Sequence, residues 1–174
     1  ATDNLLKLGA ERVLRANQKK LNVLFLGWLE KEKGIFELLK ACRILAKKYK
    51  FNLTVVGRGN AEEKAKNFVL EYALSDCIKF EGWAHGQTKI NLLKSNDILV
   101  LPSWAEGFPN AIIEAMALKV AVIVSAVGNV PDMLEHREQA LIGPPRDVNA
   151  LIGMLEELFV NPRLRADIAE RGFN

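Results

Sequence analysis

Six short apolar runs alternate with stretches of helical periodicity, and this alternation restricts the chain to very few folds. The runs are Asn22–Trp28 (NVLFLGW), Phe51–Val56, Ile78–Phe80, Asp97–Leu101 (DILVL), Val120–Val124 (VAVIV) and Ala140–Ile142. Between the first two, Gly34–Tyr49 carries Ile35, Leu38, Leu39, Cys42, Leu45 and Ala46 on one helical face. Further helices are expected from Asn60 to about Leu74, with Asn60 and Glu63 as a capping box, and over Gln87–Lys94, with Ile90, Leu92 and Leu93 inward. Another spans Pro109–Leu118, with Pro109 in its first turn. A brief helix near Asp132–His136 precedes two more over Asp147–Phe159 and Pro162–Arg171. The strand runs are continuous rather than alternating, so both of their faces are buried under crossover helices. The fold class expected is therefore α/β, a Rossmann-like doubly wound parallel sheet of about six strands. Right-handed crossovers gather the strand-to-helix turns on the carboxyl edge, where such sheets take ligands.

Other classes fall away on simple counts. At 174 residues the chain suits one domain with a core that needs no staples. No apolar run reaches the roughly 18 residues of a membrane span, and the first 20 residues contain no apolar signal core. Two cysteines, Cys42 and Cys77, and two histidines, His85 and His136, do not make a structural zinc site. The cysteines read as plain buried thiols in a reducing compartment. The net charge of +3 is uneven, since residues 1–50 hold 12 Lys/Arg against 5 Asp/Glu. Lys40, Arg43, Lys47, Lys48 and Lys50 read as the solvated face of one helix, and a nucleic-acid role lacks interleaved aromatics. Residues 1–20 form either a separate amphipathic helix or a connection, and 21–174 form the domain proper.

The turns expected on the ligand edge are Gly27–Gly34, Gly57–Asn60, Gly82–Gly86, Pro102–Asn110 and Ser125–Val130. The Pro102–Asn110 turn opens a helix, whose first amides favour oxygen-rich or anionic groups. Glu106 sits in that turn and Glu114 about one turn into the helix, so the two cannot share a proton as a dyad. Each can accept from different hydroxyls of one extended ligand, as carboxylates do with sugars and riboses. Glu114 lies in a mostly apolar helix and so needs a partner. Lys31 and Lys33, beside a glycine turn and a helix start, suit a diphosphate. Gly57-Arg58-Gly59 lacks the third glycine of a dinucleotide fingerprint and follows the second strand, not the first. No P-loop, nucleophile elbow, HExxH or D-x-D metal clamp is present. His85 lies in a turn on the ligand edge, and His136 reads as exposed.

In order along the chain stand Gly27-x-Leu29-x-x-x-Lys33-Gly34, Val56-Gly57-x-Gly59, Phe80-x-Gly82, Asp97-Ile98-x-Val100-Leu101-Pro102-Ser103, Glu106-Gly107-Phe108-Pro109, Glu114-Ala115-Met116-Ala117, Val127-Gly128-x-x-Pro131 and Pro144-Pro145-x-Asp147. Together they resemble the C-terminal, donor-binding domain of family-4 retaining glycosyltransferases, one half of a GT-B fold. The resemblance runs from about Leu21 to Arg171, and Glu106 to Glu114 matches its E-x7-E signature. It implies a nucleotide-diphosphate-sugar donor, UDP- or GDP-linked, and no cofactor or metal. Glu106 and the backbone of Gly107, Phe108, Pro109 and Asn110 would hold the transferred sugar. Glu114 would hold the ribose and Lys33 the diphosphate, with Glu106 and Lys33 as the catalytic pair. Gly57, Arg58 and Gly59, together with Gly82, Trp83 and His85, would border the base, while Gly27, Trp28 and Lys31 flank the diphosphate.

The same resemblance implies an acceptor site on an N-terminal domain or partner chain outside residues 1–174. The isolated domain is then expected to be inactive, although the whole is a transferase of the hexosyl type. It implies a cytoplasmic enzyme, at the inner face of the membrane through that other half. Five positions depart from the pattern. Trp28 stands where Arg is usual as the diphosphate's second cation, with Lys31 as its only nearby substitute. Leu118-Lys119 replaces a small residue and glycine, and Asn129 and Ala140 stand where glycines are common. A non-catalytic nucleotide-sugar binding or regulatory module is the alternative reading.

Overall fold

A computed structural model describes residues 2–12, 20–107 and 109–174. Helix α1 (Thr2–Ala10) precedes β1 (Leu21–Leu26), α2 (Ile35–Leu45), β2 (Phe51–Val56), α3 (Glu62–Glu71), β3 (Ile78–Gly82) and α4 (Gly86–Ser95). Then come β4 (Ile98–Leu101), α5 (Asn110–Ala117), β5 (Ala121–Ser125), α6 (Val130–Met133), β6 (Leu141–Gly143), α7 (Val148–Val160) and α8 (Pro162–Phe173). The six strands form one parallel sheet in the order β3-β2-β1-β4-β5-β6. This is the expected doubly wound α/β architecture.

Alternation along each strand splits the core into two layers. Leu21, Val23 and Phe25 of β1 face a layer completed by Leu38 and Leu39 of α2, Val69 of α3 and Leu155 of α7. Leu24 points the other way, toward Leu93 of α4 and Ile112 and Ala115 of α5. Every residue of β4 and β5 is buried, so these central strands can carry no polar face. The sequence winds outward from β1 to β3 and then returns to β4 on the other side of β1. That reversal opens a crevice at the carboxyl ends of β1 and β4.

Several local expectations change. Asn60 does not cap α3, whose N-cap is Ala61. The Asn60 backbone N–H and side-chain amide instead donate to the Glu30 carboxylate, at 3.3 and 3.4 Å. Pro109 is the N-cap of α5 rather than a residue of its first turn. Asp147 and Asn161 do cap their helices, accepting from the N–H groups of Ala150 and Leu164. Ile90 and Leu92 are only half-buried, whereas Leu93 is fully inside. The N-terminal helix does not stand apart: Leu5 and Leu8 pack on the α5 layer, and the Arg12 guanidinium donates to the Leu118 and Asn96 carbonyls. Residues 13–19 of the expected connection lie outside the described residues.

The cysteines are free, Cys42 buried and Cys77 only half-buried. Burial pushes both thiols up, Cys42 most, so neither is poised as a nucleophile. The five expected solvated cations, Lys40, Arg43, Lys47, Lys48 and Lys50, are all exposed. No described helix is long and apolar enough to cross a membrane.

Candidate functional site

A cleft of about 390 Å³ opens where β1 and β4 end, at the reversal of the sheet. Two turns supply its polar floor. After β1, the single 3-10 turn Lys31–Lys33 ends at Gly34, whose φ is +75°. A Cβ there would lie 2.0 Å from the Pro102 carbonyl oxygen, so the β1 turn lies backbone to backbone on the β4 turn. The Trp104 N–H donates to the Glu32 carbonyl at 2.8 Å across the same seam. Because the seam is tight, Lys33 Nζ reaches Glu106 Oε1 at 2.5 Å. Ser103 Oγ, itself buried, donates to the same oxygen at 3.1 Å. On its far side the Glu106 loop is held by Gly128, where φ is +55° and a Cβ would lie 1.8 Å from the Glu106 carbonyl oxygen.

Glu114 projects into the cleft from α5 and is paired with Lys89 of α4, Nζ to Oε1 at 2.6 Å. All four charged side chains are partly buried, at 19–29% exposure. The cleft thus holds two lysine–carboxylate pairs, whose formal charges cancel. Its upper wall is aromatic. Trp28 and Trp83 stack with centroids 4.7 Å apart and planes tilted 37°, yet remain 54% and 46% exposed. Such exposed aromatic surface beside polar groups is typical of a ligand site.

The structure brings together Gly27, Trp28, Lys33, Trp83, His85, Glu106, Pro109, Asn110 and Glu114 on this cleft. His85 is the exposed N-cap of α4. Gly57, Arg58 and Gly59 stand behind the wall rather than in it. The Gly57 N–H donates to the Gly82 carbonyl at 2.7 Å, and the Leu29 N–H donates to the Arg58 carbonyl at 2.8 Å, so this segment braces the β1 and β3 turns. Gly107 is exposed beside the cleft, and Phe108 lies outside the described residues. Lys31 does not line the cleft. Its ammonium lies 5.4 Å from the Trp104 ring centroid, and the Arg146 guanidinium lies 4.1 Å from the same centroid. Both cations lie within cation–π reach of that ring.

Sequence reasoning missed Lys89 and Ser103 as members of the site. Ser103 sat in the Pro102-Ser103 motif without a role. Lys89 gave only one signal, that Glu114 required a partner. Among the described residues, no group of three or more His, Cys, Asp or Glu side chains is placed to hold a metal ion.

The profile of the family described as glycosyl transferases group 1 matches residues 10–174. An amylovoran biosynthesis glycosyltransferase, AmsK of Erwinia amylovora, is 30% identical over 168 residues, covering 89% of this chain and 41% of its own length. The capsular polysaccharide biosynthesis glycosyltransferase CapM of Staphylococcus aureus is 29% identical over 153 residues, covering 85% of this chain and 39% of its own. The chain thus spans well under half the length of these curated relatives. Among solved structures, the C-terminal domain of a glycosyl transferase group 1 family protein (LpcC) from Francisella tularensis superposes with a TM-score of 0.80 at 27% identity. The match covers 88% of this chain and 82% of that one. Anabaena HepE in complex with UDP and glucose shares the fold, with a TM-score of 0.80 at 19% identity over 99% of this chain and 47% of its own.

Proposed function

Because the chain belongs to the glycosyl transferases group 1 family, we propose that it is the donor-binding half of a family-4, retaining sugar transferase. One observation carries the reading: Lys33, Glu106 and Glu114 converge on one cleft at the reversal of the sheet. The ligand is a nucleotide-diphosphate-sugar of the UDP or GDP type, and UDP and glucose in the HepE structure support that chemical class. Glu106 and the first amides of α5 hold the sugar hydroxyls, Glu114 holds the ribose, and Lys33 holds the diphosphate. Trp83 and His85 border the base.

In the reaction the bond from the anomeric carbon to the diphosphate oxygen breaks, and an acceptor hydroxyl oxygen bonds to that carbon on the same face and passes its proton to the leaving diphosphate. Negative charge then grows on the leaving diphosphate. Lys33 and the α5 amides oppose it without reorganising, an electrostatic form of catalysis that requires no metal. The acceptor is bound by an N-terminal domain or partner chain. A hexosyl donor, a cytoplasmic setting and attachment to the inner membrane face through that other half complete the proposal.

Titrating the ¹⁵N-labelled chain with UDP, GDP and their common sugar conjugates tests it, because amide shifts register weak binding. Shifts are expected at Lys33, Trp83–His85 and Glu106–Glu114, with preference for one base. Glu114→Ala weakens binding of the bare diphosphate. Glu106→Ala weakens only the sugar conjugate. Equal binding of the conjugate by both variants and the parent chain would remove the site assignment.

Trp28 favours a second reading, a module that binds nucleotide-sugar without turnover, because an aromatic ring stands where the resemblance places a cation. One charge-assisted hydrogen bond contributes about 1.5–3 kcal/mol. Trp28→Arg should therefore tighten UDP or GDP binding by roughly tenfold or more and leave uridine or guanosine binding unchanged. Isothermal titration of the four ligands checks this. An unchanged diphosphate affinity would mean that position 28 does not face the phosphates.

A further inference from the structure

Glu114 does not stand free in its cleft. Lys89 Nζ holds its Oε1 at 2.6 Å from the neighbouring helix α4. The Lys89 side chain is 29% exposed and that of Glu114 is 23%. A carboxylate on an apolar helix, half withdrawn from water, swings among rotamers and attracts water unless a counter-charge fixes it. Lys89 supplies that charge from outside the E-x7-E segment, and with one oxygen committed, Oε2 is the oxygen left to accept from a ligand. Lys33 and Lys89 are the lysines that line the cleft, and each serves one carboxylate. Lys33 is the cation that the resemblance assigns, whereas Lys89 stands outside every motif that carries the resemblance.

We infer that Lys89 is a positioning residue for sugar-hydroxyl recognition: it orients Glu114 and thereby sets the preference of the cleft for a ribose over a deoxyribose. This rests on the reading of the cleft as a nucleotide site. Lys89 acts through Glu114 and touches no reacting atom. Its contribution therefore belongs to ligands that carry the ribose diol, whatever their phosphates.

The test measures dissociation constants of UDP and GDP and of their 2′-deoxy counterparts by calorimetry, for the 174-residue chain and its Lys89→Met, Lys89→Arg, Glu114→Gln and Lys89→Met/Glu114→Gln variants. The parent chain should favour the ribo form by about tenfold or more, the size of one hydrogen bond left unmade. In Lys89→Met that ratio should fall below about threefold while deoxy binding holds, and Lys89→Arg should restore it. The double variant should match Glu114→Gln alone, because the two residues form one unit. Equal losses for ribo and deoxy ligands in Lys89→Met would place Lys89 on the phosphates or in the scaffold and overturn the inference. An unchanged ratio would overturn it as well. A parent chain that binds none of the four ligands at millimolar concentration would defeat the nucleotide reading itself, and the inference with it.

Discussion

Lys33→Met should weaken the binding of UDP or GDP by roughly ten- to a hundredfold while leaving the parent nucleosides nearly unaffected. The charge-assisted bond to the diphosphate is lost. For a sugar conjugate a second effect adds, because Glu106 loses the ammonium that holds it at 2.5 Å and keeps only the Ser103 hydroxyl. With Trp28 on the cleft wall and Lys31 drawn to Trp104, no second cation of the β1 turn is at hand to compensate. Lys33→Arg should recover only part of the affinity, because the guanidinium fork is longer and does not fit where a compact ammonium sits. Salt supplies an independent check. Raising ionic strength should weaken diphosphate binding to the parent chain more than to Lys33→Met, since screening acts on the charge that the variant lacks. Calorimetric titrations at low and high salt measure both. Equal diphosphate affinities for the parent and Lys33→Met would move the phosphate site away from the β1 turn.

The parts of this molecule legible in its sequence are those determined by near neighbours. Strands buried on both faces write themselves as unbroken apolar runs, as Ile98–Leu101 does. Phe51–Val56 is bounded as expected, although its Asn52 and Thr54 are only half-buried. The caps at Asp147 and Asn161, which act three residues ahead, are local in the same way, though no cap was expected at either. Asn60 looked like the same kind of cap, but the carboxylate of Glu30, thirty residues away, captures its amide. Lys31 stands off the cleft lining for a similar reason, because Trp104, far along the chain, offers its cation a ring face. Glu106, Glu114 and Lys33, expected together from the motifs, all line one cleft. Lys89 was not expected there, because its pairing with Glu114 joins two helices separated by β4. The polar partners that complete the cleft are tertiary contacts, and a single sequence carries no local mark of them.

Gly128→Ala and Gly153→Ala delete and add the same atoms, yet they should move stability in opposite directions. At Gly128 the backbone is left-handed, at φ +55°, and the new Cβ would lie 1.8 Å from the Glu106 carbonyl oxygen and 2.5 Å from that of Gly107. A left-handed alanine costs about 1–2 kcal/mol, and forcing backbone apart in a packed seam costs about 1–3 kcal/mol more. The obstacle is main chain and cannot rotate away. For a chain of this size each kcal/mol moves Tm by about 2–4 °C, so a drop of roughly 5–15 °C is expected. Gly153 lies within α7, exposed, with nothing near its Cβ position, so alanine there should raise stability by up to about 1 kcal/mol through helix propensity. Thermal unfolding of the two variants beside the parent checks the signs. The Gly128 effect also reaches the site, because the seam it opens holds the loop that aims Glu106 at the cleft. At temperatures where the Gly128→Ala chain is still folded, its binding of a nucleotide-sugar should fall toward that of the bare nucleotide. A Gly128→Ala chain that keeps both its Tm and its preference for the sugar conjugate would mean that the Glu106 loop is not clamped by the β5 turn.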